Sequence, residues 1–355
     1  DKIEVIASPS SKYDAEGAGG IINIKTKQGL LHGFNGSVSG TGQFMWEPEV
    51  HGTGDGSVRL GYKGDVTNTY LSYNGYIYHN YNEVTEDKRY GDSYESLLRT
   101  VNGVRNRFAG HQMMFSEDIR ISDSDVLGAI VKVNLNRSGY KSPNTATIDN
   151  FLKFDDPEPY TSRTSRTFEA FHTRQYSANL NYTHTFDESL SQELTVNADY
   201  NHTRSDGSDY QRNLYTSLSA DAQKYRDEQI ASGSADPFPG DGLNDSTFRR
   251  ANIWSLKVDF SQNLWDNTGR VEAGAKAAVS VTDNRYTTYK WNPVTPEPQV
   301  GDLSARNDFT YSEQIYALYA NLSKAFSDKW NAQAGIRGEY TVPRGDWKSE
   351  NRRSG

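Results

Sequence analysis

The sequence lacks cysteine altogether: its 355 residues contain none. This absence excludes a disulfide framework and any metal or redox site built on thiols. Long apolar stretches are missing too, since no run approaches the roughly 18 apolar residues of a transmembrane helix. Hydrophobic residues make up 35% of the chain, and the mean hydropathy is −0.80. A transmembrane β-barrel stays possible, because its apolar residues occupy alternate positions and hydropathy windows miss them.

Positive charge is also scarce. The chain has a formal net charge of −8 at pH 7 and a pI near 5.5, whereas nucleic-acid-binding surfaces need basic patches. We therefore expect no nucleic-acid partner. The seven histidines are scattered, no His-Glu-x-x-His motif is present, and no Ser/His/Asp arrangement rises above background. We predict that the protein is not an enzyme, with no catalytic residues, no cofactor and no metal centre.

Aromatic residues are abundant by contrast, at 12% of the chain with 23 tyrosines. Tyrosine suits a membrane–water interface, because its ring is apolar while its hydroxyl stays in water. Soluble all-β proteins also favour tyrosine, so its abundance alone leaves both classes open.

Apolar and polar residues alternate in long segments after Gly33, which predicts an all-β antiparallel fold. Within residues 175–184, Leu180 shares one face with Ala178, and Asn181 shares the other with Asn179. These segments are about 10 to 14 residues long, and a tilted strand needs about 9–11 to cross a bilayer. If the apolar face meets lipid, the polar face lines the lumen of a barrel. The lumen-facing candidates are Lys132, Asn134, Asn179, Asn181, Asn197, Asp199, Lys257, Asp259, Arg337 and Glu339.

The connections between these segments alternate between short and long, as in outer-membrane barrels. Short turns rich in Asp, Asn, Ser or Gly are predicted near 64–67, 122–125, 187–191, 265–269 and 327–329. Long polar loops are predicted near 81–110, 137–171, 203–250 and 282–311. Inside them, Tyr94, Leu97, Leu98 and Val101 have helical spacing, and residues 221–231 have a helix-forming composition. We count about eleven strands in total.

The first 27 residues carry the most specific motif. Two β-branched runs flank a turn-rich connector that ends in a glycine-rich bend. The residues concerned are Ile3, Glu4, Val5, Pro9, Ser10, Tyr13, Gly17, Gly19, Gly20, Ile22, Asn23 and Ile24. This pattern resembles the end of the plug domain of TonB-dependent outer-membrane receptors. The variant at 13–17 looks like the subfamily whose barrel often follows a carboxypeptidase-regulatory-like module. A soluble hairpin with a glycine-rich turn is the alternative.

The resemblance implies an antiparallel transmembrane β-barrel of 22 strands, of which this chain would supply about 11. Residues 1–30 would form the C-terminal end of the plug domain, and residues 31–355 the first half of the barrel with long extracellular loops. The implied function is active uptake of a scarce solute across the bacterial outer membrane. The loops would bind the solute, and the plug would close the lumen. The implied partners are a TonB-type energising protein, which would contact a box outside this chain, outer-membrane lipids and an optional surface lipoprotein.

Other functions remain open at this stage. The same barrel would serve a non-transporting receptor or adhesin, and a soluble all-β binding domain is a third class. Asp236, Asp241, Asn244 and Asp245 fall in a Pro/Gly-rich segment and offer oxygen ligands suited to Ca²⁺, although their spacing does not fit an EF-hand. A solvated loop is the favoured interpretation there. The sequence does not indicate which solute would be transported.

Overall fold

The computed structural model describes residues 2–6, 21–25, 32–46, 50–91, 96–139, 144–153, 155–291, 303–327 and 329–350. Strand β1 (Lys2–Ile6) pairs antiparallel with β2 (Ile21–Lys25) in a separate two-stranded sheet, with Ile3 opposite Ile24 and Val5 opposite Ile22. Both segments are β-branched, which favours extended backbone. The other motif positions, Pro9, Ser10, Tyr13, Gly17, Gly19 and Gly20, lie outside the described residues.

The second sheet contains twelve antiparallel strands. They are β3 (Gly33–Met45), β4 (His51–Lys63), β5 (Thr67–Tyr90), β6 (Ser96–Arg120), β7 (Asp125–Ser138), β8 (Asn144–Phe151), β9 (Thr161–Asp187), β10 (Gln192–Leu218), β11 (Asp241–Leu264), β12 (Gly269–Trp291), β13 (Leu303–Ser327) and β14 (Trp330–Glu350). Eleven of these follow one another across the sheet in chain order, while β8 pairs with β6 and β9 beyond the end of β7. The predicted all-β antiparallel architecture is confirmed, whereas a total of 22 strands stays a prediction.

The four short turns at 64–67, 122–125, 187–191 and 265–269 lie where the sequence predicts them, each joining two adjacent strands at the same end of the sheet. The fifth is predicted between β13 and β14, where residue 328 lies outside the described residues. The turn after β11 is the most constrained, because Trp265, Asp266 and Asn267 all have positive φ, between 50° and 66°. In the turn after β9, the carboxylate of Asp187 accepts from the backbone N–H of Ser189 at 2.8 Å. Asp and Asn favour such turns because their side chains can hydrogen-bond the local backbone.

The prediction of long polar loops is wrong for most of their length. Residues 81–90 continue β5, and 96–110 already belong to β6; β9 and β10 each run 27 residues. At about 3.4 Å per residue such a strand spans roughly 90 Å, about twice a bilayer. Strands of this length would extend well past a bilayer as paired ribbons. Both faces of a ribbon in water are polar, so the period-two signal fades although the backbone pairing continues.

The two predicted loop helices have opposite outcomes. Leu97, Leu98 and Val101 lie in β6, and they pair with β8 rather than forming a helical stripe; Tyr94 lies outside the described residues. Helix α1 (Ala220–Ala231) confirms the second prediction. Its N-cap, Ser219, accepts a hydrogen bond from the backbone N–H of Ala222 at 3.2 Å, which satisfies a donor that the helix itself leaves unpaired. Within the described ranges, no helix is both long and apolar enough to cross a membrane.

The twelve-stranded sheet leaves one apolar face uncovered. Leu318 on β13 is 69% exposed and Ile336 on β14 is 75% exposed, and the two share that face with Leu180 and Leu256 through the strand register. A continuous exposed apolar surface of this extent needs a non-aqueous neighbour. We call this surface the apolar face and the opposite one the polar face.

Candidate functional site

The strand register brings all ten lumen-facing candidates onto the polar face. Asn181, Asn197 and Lys257 lie directly opposite one another on β9, β10 and β11. One row further from the short turns, Asn179 donates to Asp199 at 2.7 Å, and Ser255 donates to the same carboxylate at 3.1 Å. The polar face is thus a connected hydrogen-bond network and not a set of isolated side chains.

An aromatic–carboxylate pair is among the most buried polar groups of this face. Tyr319 on β13 is 5% exposed and donates its hydroxyl hydrogen to Asp259 on β11, which is 7% exposed. The two strands are not neighbours, because β12 runs between them. Gly274 occupies the intervening position on β12, and a Cβ atom there would come within 2.3 Å of the tyrosine oxygen. The missing side chain of Gly274 is what lets the ring cross the strand.

Cations surround the ring of Tyr319. The Lys257 ammonium lies 3.4 Å from Asp259 and 5.6 Å from the ring centroid. The Arg337 guanidinium lies 5.9 Å from the same centroid and 3.0 Å from Glu339. Cations over an aromatic face are attracted by its quadrupole. Three of the ten candidates, Lys257, Asp259 and Arg337, therefore contact one side chain that is not among them.

A second chain of contacts lies nearer the short turns. Arg270 on β12 donates to Ser261 at 2.9 Å and lies 3.4 Å from Glu272. Asn321 on β13 donates to Glu272 at 3.4 Å and accepts from Gln333 on β14 at 3.1 Å. This chain of contacts links four neighbouring strands, and it contains one ion pair, Arg270 with Glu272, among neutral side chains.

A second tyrosine bridge lies on the same polar face, on strands β5 to β7. Tyr76 on β5 reaches across β6 and donates to Asn136 on β7 at 2.9 Å. Gly110 occupies the crossed position, where a Cβ atom would come within 2.6 Å of the tyrosine ring. Lys132 and Asn134 lie on this part of the polar face, separated from the Tyr319 cluster by β9 and β10.

Sequence reasoning missed both bridging tyrosines. Tyrosine suits a membrane interface, which favours the apolar face, whereas both of these tyrosines lie on the polar face. The available signal was parity: Tyr319 falls between Leu318 and Ala320 in an alternating strand, and therefore points to the polar side. A glycine on the neighbouring strand is a second signal, but it becomes visible only when the register is known.

The segment that offered a calcium site folds differently from the predicted loop. Asp241, Asn244 and Asp245 belong to β11. Asp236 accepts from the Arg226 side chain of α1, whose Nε lies 3.0 Å from both carboxylate oxygens and whose Nη2 lies 2.5 Å from Oδ2. The hydrogen bond from Arg226 lowers the pKa of Asp236. Among the described residues, no group of three or more acidic, His or Cys side chains could hold a metal ion.

The apolar face ends in aromatic side chains at both borders of a band. On one border, Tyr200 and Trp254 lie on adjacent strands with ring centroids 5.5 Å apart. On the other, beside the short turns, Lys324 lies 4.4 Å from the ring of Trp265. The stretch of β11 between the two tryptophans is about ten residues long, which matches a bilayer crossing. Aromatic rings at both interfaces and lysines that reach toward water are typical of membrane barrels.

Comparison with known proteins supports this placement. Residues 188–354, a little under half of the chain, match the family model described as "Outer membrane protein beta-barrel family". No curated protein matches the chain. A solved structure described as "CymD monoaromatic hydrocarbon channel" aligns with 92% of this chain and 90% of its own, at 10% identity and a TM-score of 0.26; a superposition of that quality carries no argument about function. The family match over this segment and the exposed apolar band support an outer-membrane β-barrel, and the protein lies in the bacterial outer membrane.

Proposed function

We propose that the protein takes up a scarce solute across the outer membrane in a TonB-dependent manner. The observation that carries the proposal is the β1–β2 hairpin. It bears the plug-end motif, forms a sheet separate from the barrel strands, and directly precedes the first of them in sequence. A plug that ends in such a hairpin would occupy the lumen and be held by side chains of the polar face.

The polar face suits this role because its contacts are numerous and individually modest. Exposed or partly hydrated hydrogen bonds contribute about 0.5–1.5 kcal/mol each, so a plug held by many of them can be moved stepwise by mechanical work. The candidates other than the buried Asp259 would contact the plug and line the solute path, and Tyr319 and Asp259 would support them from within the network. The energising protein would act from the periplasm, and no catalytic step is part of the proposal.

Uptake by whole cells tests the proposal. Cells that express the complete protein would be offered radiolabelled siderophores, cobalamin, oligosaccharides and peptides, with and without the energising partner and with the proton gradient intact or dissipated. We expect one solute class to accumulate only when both partner and gradient are present. Uptake that is indifferent to both would indicate a passive channel, and surface binding without uptake would indicate a receptor or adhesin.

A matched pair of variants connects this test to the polar face. Asn181→Trp would place a large ring among the lumen-facing side chains, whereas Leu180→Trp would place it on the apolar face, where Leu180 is already exposed. We expect the first variant to slow energised uptake without loss of surface binding, and the second to leave uptake unchanged. Equal effects of the two variants would contradict the assignment of the solute path.

A further inference from the structure

Three arginines form a row on the outside of the sheet. Arg174 on β9 lies directly opposite Arg204 on β10, which lies directly opposite Arg250 on β11. Their positions have the parity of Leu180, Tyr200 and Trp254, so they share the apolar face and not the lumen side. Like charges directly opposite each other on adjacent strands destabilise a sheet. A row of three such residues therefore needs a compensating anion.

The arginine row lies just beyond the membrane band. Arg204 is four residues past Tyr200 and Arg250 is four residues before Trp254. At about 3.4 Å per residue this is roughly 14 Å along the strand beyond the aromatic border, or about 10 Å along the membrane normal for strands tilted by about 35–45°. This border is the one remote from the short turns. In outer-membrane barrels the short turns are periplasmic, so the arginine row lies at headgroup level in the outer leaflet.

The protein's own carboxylates offset only part of this charge. Asp206 lies 3.0 Å from Arg204, and Asp283 lies 2.6 Å from Arg250. The next row outward adds two further arginines on the same face: Arg137, which donates to His172 at 2.9 Å, and Arg285, stacked 5.4 Å from the ring of Phe248. The two rows of β7 to β13 thus hold five arginines against three aspartates, the third being Asp308, which lies directly opposite Arg285, in a chain whose net charge is −8.

An apolar depression lies on the same strands, on the membrane side of the arginine row. It has a volume of about 380 Å³ and lies on β9 to β12, with Ala178, Ala198 and Ala277 between the larger Leu180, Tyr200 and Leu256. Small side chains in the middle of a lipid-facing surface leave a groove into which a hydrocarbon chain can pack. The arginine row therefore lies farther from the membrane centre than the apolar depression. A membrane lipid has the same order, with its headgroup outside and its acyl chains inside.

We propose that this surface binds a phosphorylated glycolipid of the outer leaflet, with its phosphate on Arg174, Arg204 and Arg250 and an acyl chain in the depression below. Guanidinium groups bind phosphate through paired N–H donors. Arg204 and Arg250 keep donors available in this geometry, because a guanidinium has five N–H groups and each has one carboxylate neighbour. The site is independent of the lumen and of any solute that passes through it.

Binding to the complete, delipidated protein in non-ionic detergent tests the proposal. The probes are a bis-phosphorylated lipid A and its dephosphorylated counterpart, with bound lipid counted by native mass spectrometry. The triple variant Arg174→Gln/Arg204→Gln/Arg250→Gln should bind the phosphorylated lipid about tenfold more weakly or worse, as expected for three arginines near an anionic surface. The wild type should prefer the phosphorylated lipid, and this preference should shrink in the variant.

The matched control is Arg249→Gln, which removes an exposed arginine adjacent to Arg250 but on the polar face. It should bind like the wild type, while Arg250→Gln alone should bind more weakly. A second variant, Ala198→Trp, fills the depression without a change of charge and should also weaken binding. Heat-modifiable mobility in gels establishes that each variant is folded.

Three results would overturn the proposal. The first is a triple variant that binds within about twofold of the wild type. The second is an equal loss of binding in Arg249→Gln. The third is displacement of the glycolipid by inorganic phosphate at the same concentration, which would show that the row binds a soluble anion and that the acyl groove contributes nothing.

Discussion

The hydroxyl of Tyr319 donates to the carboxylate of Asp259 across the full width of strand β12, and both side chains are almost completely buried. A buried carboxylate without a hydrogen-bond partner destabilises the folded state. The hydrogen bond from Tyr319 therefore stabilises the Asp259 carboxylate, in addition to fixing the position of the ring. It also couples β11 to β13 directly, although the two strands share no backbone hydrogen bonds.

Removal of that hydroxyl should destabilise the protein. Tyr319→Phe keeps the ring over Gly274 but leaves the buried Asp259 with one donor fewer, and we expect a loss of about 1–3 kcal/mol in the free energy of unfolding. Reversible urea unfolding in lipid vesicles measures it. Tyr316→Phe is the control, because Tyr316 lies on the apolar face and its hydroxyl donates to Gln314 at 3.2 Å in an exposed setting. A control loss as large as that of Tyr319→Phe would refute the assigned role.

A side chain at Gly274 should disrupt the hydrogen bond between Tyr319 and Asp259, because that bond crosses this position of β12. The added Cβ of Gly274→Ala would lie 2.3 Å from the tyrosine oxygen and 2.6 Å from the backbone oxygen of Val258, and backbone cannot move aside as a flexible side chain can. We expect a cost of about 1–3 kcal/mol, typical of overpacking, measured in the same urea titration. Gly338→Ala has open space around its Cβ and should be nearly neutral, so equal costs would contradict the close approach.

The lipid and lumen faces should respond oppositely to charge. Leu180→Arg or Val258→Arg should cost roughly 2–4 kcal/mol if these residues face the bilayer midplane. Asn181→Arg and Lys257→Arg, one residue away on the polar face, should cost far less. Folding titrations into vesicles distinguish the two sets. If the apolar-face and polar-face variants lost equal stability, the assignment of alternate residues to lipid and lumen would be wrong.

Sequence parity and turn chemistry account for most of what was predicted correctly. The alternation of Leu180 with Asn181 predicts the faces, and the short Asp-, Asn- and Gly-rich turns predict the ends of the strands nearest to them. The other ends could not be predicted, because strands such as β9 and β10 continue into water, where both faces are polar and the pattern disappears. The bridge from Tyr319 to Asp259 depends on the register across three strands, which no local pattern encodes. The plug interpretation of residues 1–30 stays a prediction.

Asp206 and Asp209 lie three residues apart on β10, beyond the membrane band. Their contributions to the stability of the folded state should change in opposite directions with pH. Burial raises the pKa of Asp209, and the facing carboxylates of Glu169 and Asp245 raise it further. The hydrogen bond from Arg204 lowers the pKa of Asp206. A raised carboxyl pKa means that the folded state binds the proton more tightly than the unfolded state does, so stability falls as pH rises through that interval. A lowered pKa has the opposite consequence.

Asp209→Asn should therefore increase the protection of the β9–β11 ribbon against amide hydrogen exchange at neutral pH, and this gain should shrink as the pH is lowered toward the range where Asp209 itself becomes protonated. Asp206→Asn should decrease protection at neutral pH, and the loss should disappear only at lower pH, because the lowered pKa keeps Asp206 ionised further into the acid range. Exchange rates corrected for the intrinsic effect of pH, compared residue by residue across the ribbon, separate the two. If the two variants changed protection in the same direction at neutral pH, the acidic repulsion around Asp209 could not be the cause, since a uniform change would reflect altered strand pairing and not the charge of either aspartate.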